Sequence, residues 1–332
     1  GEVGFEIIGS PRGMRDGFAS MLRAASGIDD PVCAIVVSEE SADYLPEMTY
    51  LASELRNTGL RVFTLGPRDV AFTEDGLFIE PEGERLRVDV LYRFFELFDL
   101  MNIPKSELIS YAARHRLVVV TPPYKPFLEE KLLLALLHMD ALEENWRRSL
   151  GDSHYELLRR VVAPTWILDD RPVPPHAEIS GFRWRGGPIR DWQVIRDATQ
   201  KERRLVIKPS GFSPLAWGSR GVKIGHDMAQ EGWARAVDDA LSSFRSTPHV
   251  LQPFYDTSLT RVTYYDARDA SFREMTARVR LCPYYFATDD TASLSGVLAT
   301  ACPKDKKLIH GMVDAVMAPC RIKTESESAV DA

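Results

Sequence analysis

The sequence predicts a mixed α/β protein whose first half holds a parallel sheet and whose second half is richer in strands. Three observations carry this. Short apolar runs alternate with helical patterns through the first 120 or so residues, the signature of strands joined by crossover helices. The dipeptide Pro122-Pro123 then interrupts the pattern, since proline removes a backbone donor and restricts its predecessor. Beyond Leu205 an apolar strand ends in a lysine and is followed by a loop rich in glycine and serine.

In chain order, Cys33–Val37 reads as a short buried strand. Tyr44–Asn57 places Leu45, Met48, Leu51 and Leu55 at helical spacing, and Gly59 closes that helix. Leu60–Leu65 is the second strand. Val70–Ile79, with Glu74-Asp75-Gly76 at its middle, has the chemistry of a β-hairpin. Val88–Tyr92 is a strand, a helix follows from Ser106, and Leu117–Thr121 is the next strand.

The stretch Phe127–Leu142 predicts one strongly apolar helix, buried on most sides, and Asp152–Val161 predicts another. Asp169–Arg190 holds four prolines and three glycines and reads as an irregular linker or lid. Arg204–Pro209 and Val222–Gly225 are strands around the loop Gly211–Gly221; a helix covers Ala229–Phe244, and His249–Phe254 is a strand. Leu259–Asp266, Phe272–Leu281 and Ser293–Ala301 are strands, a last helix is expected near Lys304–Met317, and the polar end from Lys323 is expected to fray. A chain of 332 residues exceeds the usual single domain. The expected blocks are 1–122, a helical bridge and linker 123–200, a ligand-binding block 201–322, and a tail 323–332.

Composition excludes several classes. The net charge of −7 and the scattering of pairs such as Arg147-Arg148 among acids argue against a nucleic-acid footprint. The longest apolar run, Leu132–Leu137, is far short of the roughly 20 residues a membrane span needs. The first residues lack a basic segment followed by an apolar one, so no signal peptide is expected and Gly1 reads as an expression scar. Four cysteines form no Cys-x-x-Cys pair, which fits a reduced, cytoplasmic setting. The seven histidines stand singly, at spacings unlike a metal site. No Gly-Lys dipeptide, dinucleotide glycine fingerprint, His-Glu-x-x-His or Gly-x-Ser-x-Gly elbow occurs.

The segment Leu205-Val206-Ile207-Lys208-Pro209-Ser210-Gly211 is the strongest chemical signal. An ammonium at the end of an apolar strand is costly unless an anion meets it. The loop that follows, through Ser219-Arg220-Gly221, lets backbone amides approach a polyphosphate. The second strand is expected to pair antiparallel with the first. About thirty residues on, Gln252-Pro253-Phe254 ends another apolar strand and fits a hinge whose backbone reads a base while the aromatic packs on its ring.

In order and spacing these segments resemble the ATP-grasp superfamily, in particular glutathionylspermidine-synthase-like and related carboxylate–amine ligases. Val88–Arg93 resembles the strand closing the family's N-terminal pre-ATP-grasp domain. Pro122-Pro123 with Phe127–Lys131 resembles its Asn-Pro…Lys segment, threonine replacing asparagine, and Pro164-Thr165 its short segment entering the central subdomain. The resemblance implies an ATP-grasp fold after a pre-ATP-grasp α/β domain, ATP and Mg2+ as cofactors, and small carboxylate and amine substrates. It places Lys131, Lys208, Ser219, Arg220, Gly221, Gln252, Pro253 and Phe254 around the nucleotide, with substrates near Ser10, Arg93 and Tyr124.

One part of the family pattern is missing. Its magnesium is held by Glu-x-Asn near the C-terminus, yet the last asparagine here is Asn145. Glu274, Asp289 and Asp290 are the replacement candidates for metal, since magnesium takes hard oxygen ligands. Arg278 and Arg280 are the candidates for charge stabilisation on the transferring phosphoryl group. Two functions follow as expectations: an ATP-dependent ligase working through an acyl-phosphate, or a noncatalytic nucleotide-binding or scaffold protein without the metal site.

Overall fold

A computed structural model describes residues 6–309 and 314–322. The chain divides into two compact units, Gly1–Tyr124 together with Thr257–Ala332, and Lys125–Asp256. These limits differ from the expected blocks. Phe182, Ile189, Trp192 and Ile195, from the expected linker, are buried in the same core as Leu205, Trp233 and Leu251. Burying those side chains makes 125–256 one body rather than a bridge plus half a domain.

The first unit is built on four parallel strands in the order Arg61–Leu65, Val32–Val37, Val90–Phe94, Val119–Thr121. Val32–Val37 is buried at every position because both faces are covered. Val32, Ala34 and Val36 pack with Ile109 and Ala112 of the helix Ser106–Arg114 and with the hairpin residues Leu77 and Ile79. Cys33, Ile35 and Val37 pack with Phe18 and Leu22 of the helix Gly13–Ser26 and with Met48 and Leu55 of the helix Leu45–Arg56. The predicted hairpin is present as Ala71–Thr73 against Gly76–Ile79.

The same unit carries an antiparallel meander, Leu259–Asp266, Ser271–Thr288, Thr291–Pro303 and Val316–Pro319. The helix Gly13–Ser26, which the sequence did not announce, lies against it. A Cβ on Gly13 or Gly17 would stand 2.4 or 2.5 Å from Ser295, so these glycines, poor helix formers, are what permit the approach. Phe286 meets Phe18 edge-on at 5.5 Å between ring centres. The helix expected over Lys304–Met317 is corrected in part: Val316–Pro319 pairs with Leu298–Ala301 as a strand, while 310–313 and the tail from Lys323 lie outside the described residues.

The second unit holds a four-stranded antiparallel sheet in the order Lys223–Ile224, Leu205–Pro209, His249–Pro253, Trp166–Leu168. The helix Gln230–Ser242 buries Trp233, Val237 and Leu241 against one face. The single apolar helix expected over Phe127–Leu142 is instead a six-residue helix, Leu132–Leu137, between two 3-10 turns. Its uniform run of leucines has no amphipathic period to bury, and Phe127, Leu128, Leu133, Leu134 and Met139 remain exposed. Asp169–Arg190 is mostly irregular but includes a short ladder of Arg183–Trp184 with Gly187–Pro188. No helix among the described residues is long and apolar enough to cross a membrane.

Candidate functional site

Strand alternation decides which side chains of the second sheet meet. Lys208 stands opposite Val250, which stands opposite Ile167, while Val206 stands opposite Gln252. These residues share the face away from Trp233, whereas Ile207 and Leu251 enter the core beneath the helix. On that second face Lys208 Nζ donates to Gln252 Oε1 at 2.7 Å. Gln252 Nε2 in turn donates to Thr165 Oγ1 at 2.8 Å, and Thr165 Oγ1 donates to the Ala163 carbonyl at 2.8 Å. A buried chain of polar groups therefore orients the lysine from the neighbouring strand and from the segment that enters Trp166–Leu168.

Burial, and secondly the like charge of Lys131, push the Lys208 ammonium below the ordinary lysine range. Both causes disfavour the charged form, and both are relieved by an anion placed between the lysines. Lys131 immediately precedes the helix Leu132–Leu137. The structure thus brings together Lys131, Lys208 and Gln252, three of the sequence candidates, and adds Thr165.

The loop Gly211–Gly221 is anchored rather than open. The Glu130 carboxylate accepts from the Ser210 hydroxyl, from Leu132 N at 3.0 Å and from Gly211 N at 3.4 Å. The amides of Ser213, Ala216, Gly221 and Val222 donate to carbonyls of 210–219, and those of Phe212 and Leu215 to serine hydroxyls. A polyphosphate held by these amides must displace those bonds. Two glycines here serve packing: a Cβ on Gly211 would sit 2.0 Å from the Glu129 carbonyl, and one on Gly221 2.6 Å from Pro209. Ser219, at φ 62°, takes the left-handed backbone of the turn, and Arg220 donates to the Pro214 carbonyl at 3.3 Å.

At Gln252-Pro253-Phe254 the Phe254 amide donates to the Arg204 carbonyl at 2.8 Å. Its ring meets His226 edge-on at 4.6 Å and lies 5.6 Å beneath the Arg204 guanidinium. Phe254 is half-buried against these residues of its own unit, and the exposed aromatic at this strand end is Tyr255.

The remaining candidates belong to the other unit. Arg278 and Arg280 share a face of Ser271–Thr288 by alternation; Arg278 donates to the carbonyls of Lys304 at 2.8 Å and Thr257 at 3.1 Å. Glu274 lies opposite Thr263, while Asp289 and Asp290 form the turn after Thr288. Fifteen residues of extended chain, on the order of 40–50 Å, separate Glu274 from Asp289, so the three carboxylates do not form one metal site. Among the described residues no group of three His, Cys, Asp or Glu is placed to hold a metal. Arg93 is buried and donates to the Pro122 and Phe95 carbonyls at 2.9 and 2.7 Å, which makes it a brace for the proline turn; Asp89 accepts from Val32 N.

Glu130, Ser210 and Thr165 were legible only as chain positions: a local pattern shows a carboxylate beside a lysine, not that it bonds a residue 80 positions away.

No protein-family profile matches the chain, and no curated protein does. Among solved structures it is similar to a glutathione synthetase-like effector from Globodera pallida in its apo form, with 10% identity and a TM-score of 0.46. The match covers 92% of this chain and 57% of the other, so the chain spans little more than half the length of that protein.

Proposed function

We propose that the Lys208 face of the second sheet binds the phosphates of ATP, and that the chain is an ATP-grasp-like protein that activates a carboxylate for attack by an amine. The observation that carries the reading is Lys208 itself: an ammonium in a largely buried position, oriented by Gln252 and facing the like charge of Lys131. A desolvated cation that feels a like charge nearby is stabilised by an anion. The ordered series of motifs from Pro122 to Phe254 supports the nucleotide over other polyanions.

In this reading Lys131 and Lys208 hold the phosphates and stabilise charge that develops on the transferring group, where positioning and electrostatics supply most of the catalysis. Ser219, Arg220 and Gly221 exchange their internal bonds for phosphate contacts as the loop closes. The carboxylates Glu274, Asp289 and Asp290 do not fit a shared magnesium site.

A second reading, nucleotide binding without turnover, is favoured by the separation of those acids. Thermal unfolding with ATP tests binding first: at a hundredfold excess over the dissociation constant a ligand stabilises by about 2.7 kcal/mol. Replacing Gly211–Gly221 by a two-residue turn removes that protection. An undiminished ATP shift in the shortened variant contradicts the loop's role. ADP release in the presence of magnesium and candidate carboxylates then separates the ligase from the noncatalytic reading.

A further inference from the structure

The second unit contains a cavity of about 640 Å³, inside the range of about 300–1,000 Å³ that small-molecule sites occupy. It lies along the unpaired edge of the strand Trp166–Leu168, beneath the irregular segment that follows that strand. Neither Lys131 nor Lys208 lines it.

Its floor is apolar and largely aromatic: Trp166, Ile179, Trp192, Leu241 and Phe244. The floor is also fixed in place. Trp166 Nε1 donates to the Ser180 carbonyl at 3.0 Å, and both Trp166 and Trp192 meet the buried Phe182 ring edge-on, at 4.9 and 5.0 Å.

The charges at the wall are unequal. Asp169, Asp170, Glu178 and Asp191 face Arg171 and Arg190. Arg171 is already neutralised by its ion pair with Asp169, and its guanidinium lies 5.2 Å from the Phe244 ring centre. The cavity therefore already holds one cation between a carboxylate and an aromatic face, the arrangement that favours organic cations. Asp191 is engaged by the Gln193 amide at 2.8 Å. Burial and the neighbouring Arg159 lower the proton affinity of the wall residue His138, so that ring adds no positive charge at neutral pH. With the Arg171–Asp169 pair set aside, three carboxylates, Asp170, Glu178 and Asp191, stand against Arg190 alone, so the wall favours an incoming cation over an anion.

We propose that this cavity is a second ligand site, for a small organic cation whose flat apolar body lies on Trp166, which the buried Phe182 and Trp192 rings hold in place, and whose ammonium points to the Asp170 and Glu178 rim. The proposal does not rest on the nucleotide reading, although Thr165, which accepts from Gln252, also lines this cavity.

The test uses two probes of matched shape and opposite charge, tryptamine and indole-3-propionate, titrated into the full chain at low salt by calorimetry. Tryptamine binds at least tenfold more tightly than indole-3-propionate. Asp170 and Glu178 are both exposed, so the double variant Asp170→Lys, Glu178→Lys keeps its melting temperature; it weakens tryptamine at least tenfold and improves the carboxylate. If the double variant does not fold, each single reversal weakens tryptamine at least threefold. The proposal is overturned if neither probe binds at millimolar concentration, if the carboxylate binds as tightly as the amine, or if charge reversal leaves tryptamine affinity unchanged.

Discussion

The central strands of the two main sheets occupy similar positions and carry opposite chemistry. Val32–Val37 runs between two parallel neighbours with helices on one face and a helix and hairpin on the other, and all six residues are buried and apolar or a thiol. Leu205–Pro209 also runs between two neighbours; its Leu205 and Ile207 side enters the apolar core, while its other side, buried at Val206, is shared with polar groups. That second side presents Lys208 and is organised by Gln252 and Thr165. A strand packed on both faces by apolar groups leaves no place for a charge, whereas a strand with polar partners on its second face can hold a lysine that desolvation has made sensitive to anions.

The contrast is sharpest in mutational cost. Ile35→Ala, in a fully buried position, is expected to cost about 2–5 kcal/mol, the transfer loss plus an unfilled cavity. Urea unfolding measures this, and a loss below about 1 kcal/mol contradicts double coverage. Gly211→Ala is expected to cost about 1–3 kcal/mol, since its Cβ cannot share space with the Glu129 carbonyl and the backbone must shift. The same unfolding assay checks it, with Gly27→Ala inadequate as a control because of its positive φ and Gly232→Ala suitable, its Cβ meeting nothing closer than 3.6 Å.

Lys208→Met is expected to change stability least, by roughly 1 kcal/mol or less at neutral pH, because relief of a desolvated charge offsets the donor lost to Gln252. Its sign varies with pH. The folded state holds the Lys208 proton less firmly than the unfolded state, so wild-type stability rises as pH climbs from the lowered folded value toward 10.5. Stability of Lys208→Met relative to wild type accordingly declines over that window. Paired melts from pH 7 to 10 read the slope, and a difference independent of pH removes the claim that Lys208 is strained by burial.

The elements with strict periodicity were legible. The all-apolar strand at Val32–Val37, the helix Leu45–Arg56 and the hairpin around Gly76 need only local pattern. Lys208 and Gln252 were legible for a chemical reason, a polar group closing an apolar strand. The rest depended on contacts distant in sequence. The helix Gly13–Ser26 was hidden because its glycines lower helix propensity and matter only against Ser295. The leucines of 132–137 promised burial on most sides, which the fold supplies at Leu137 but not at Leu133 and Leu134. Phe254 offered a ring for a base, yet Arg204 and His226 already cover it. Glu274 and Asp289 look close in function only because strand length is invisible in a list of acids.

The central claim is that the buried lysine face receives a polyphosphate, and calorimetric titration of ATP into wild type and Lys208→Ala, each with and without magnesium, tests it most directly. The account predicts saturable binding by wild type. It also predicts a loss of about 1.5–3 kcal/mol in Lys208→Ala, the scale of a charged hydrogen bond, with the folded protein otherwise unchanged. Equal ATP affinity in the two proteins, or no binding by wild type at millimolar ATP in either condition, contradicts it.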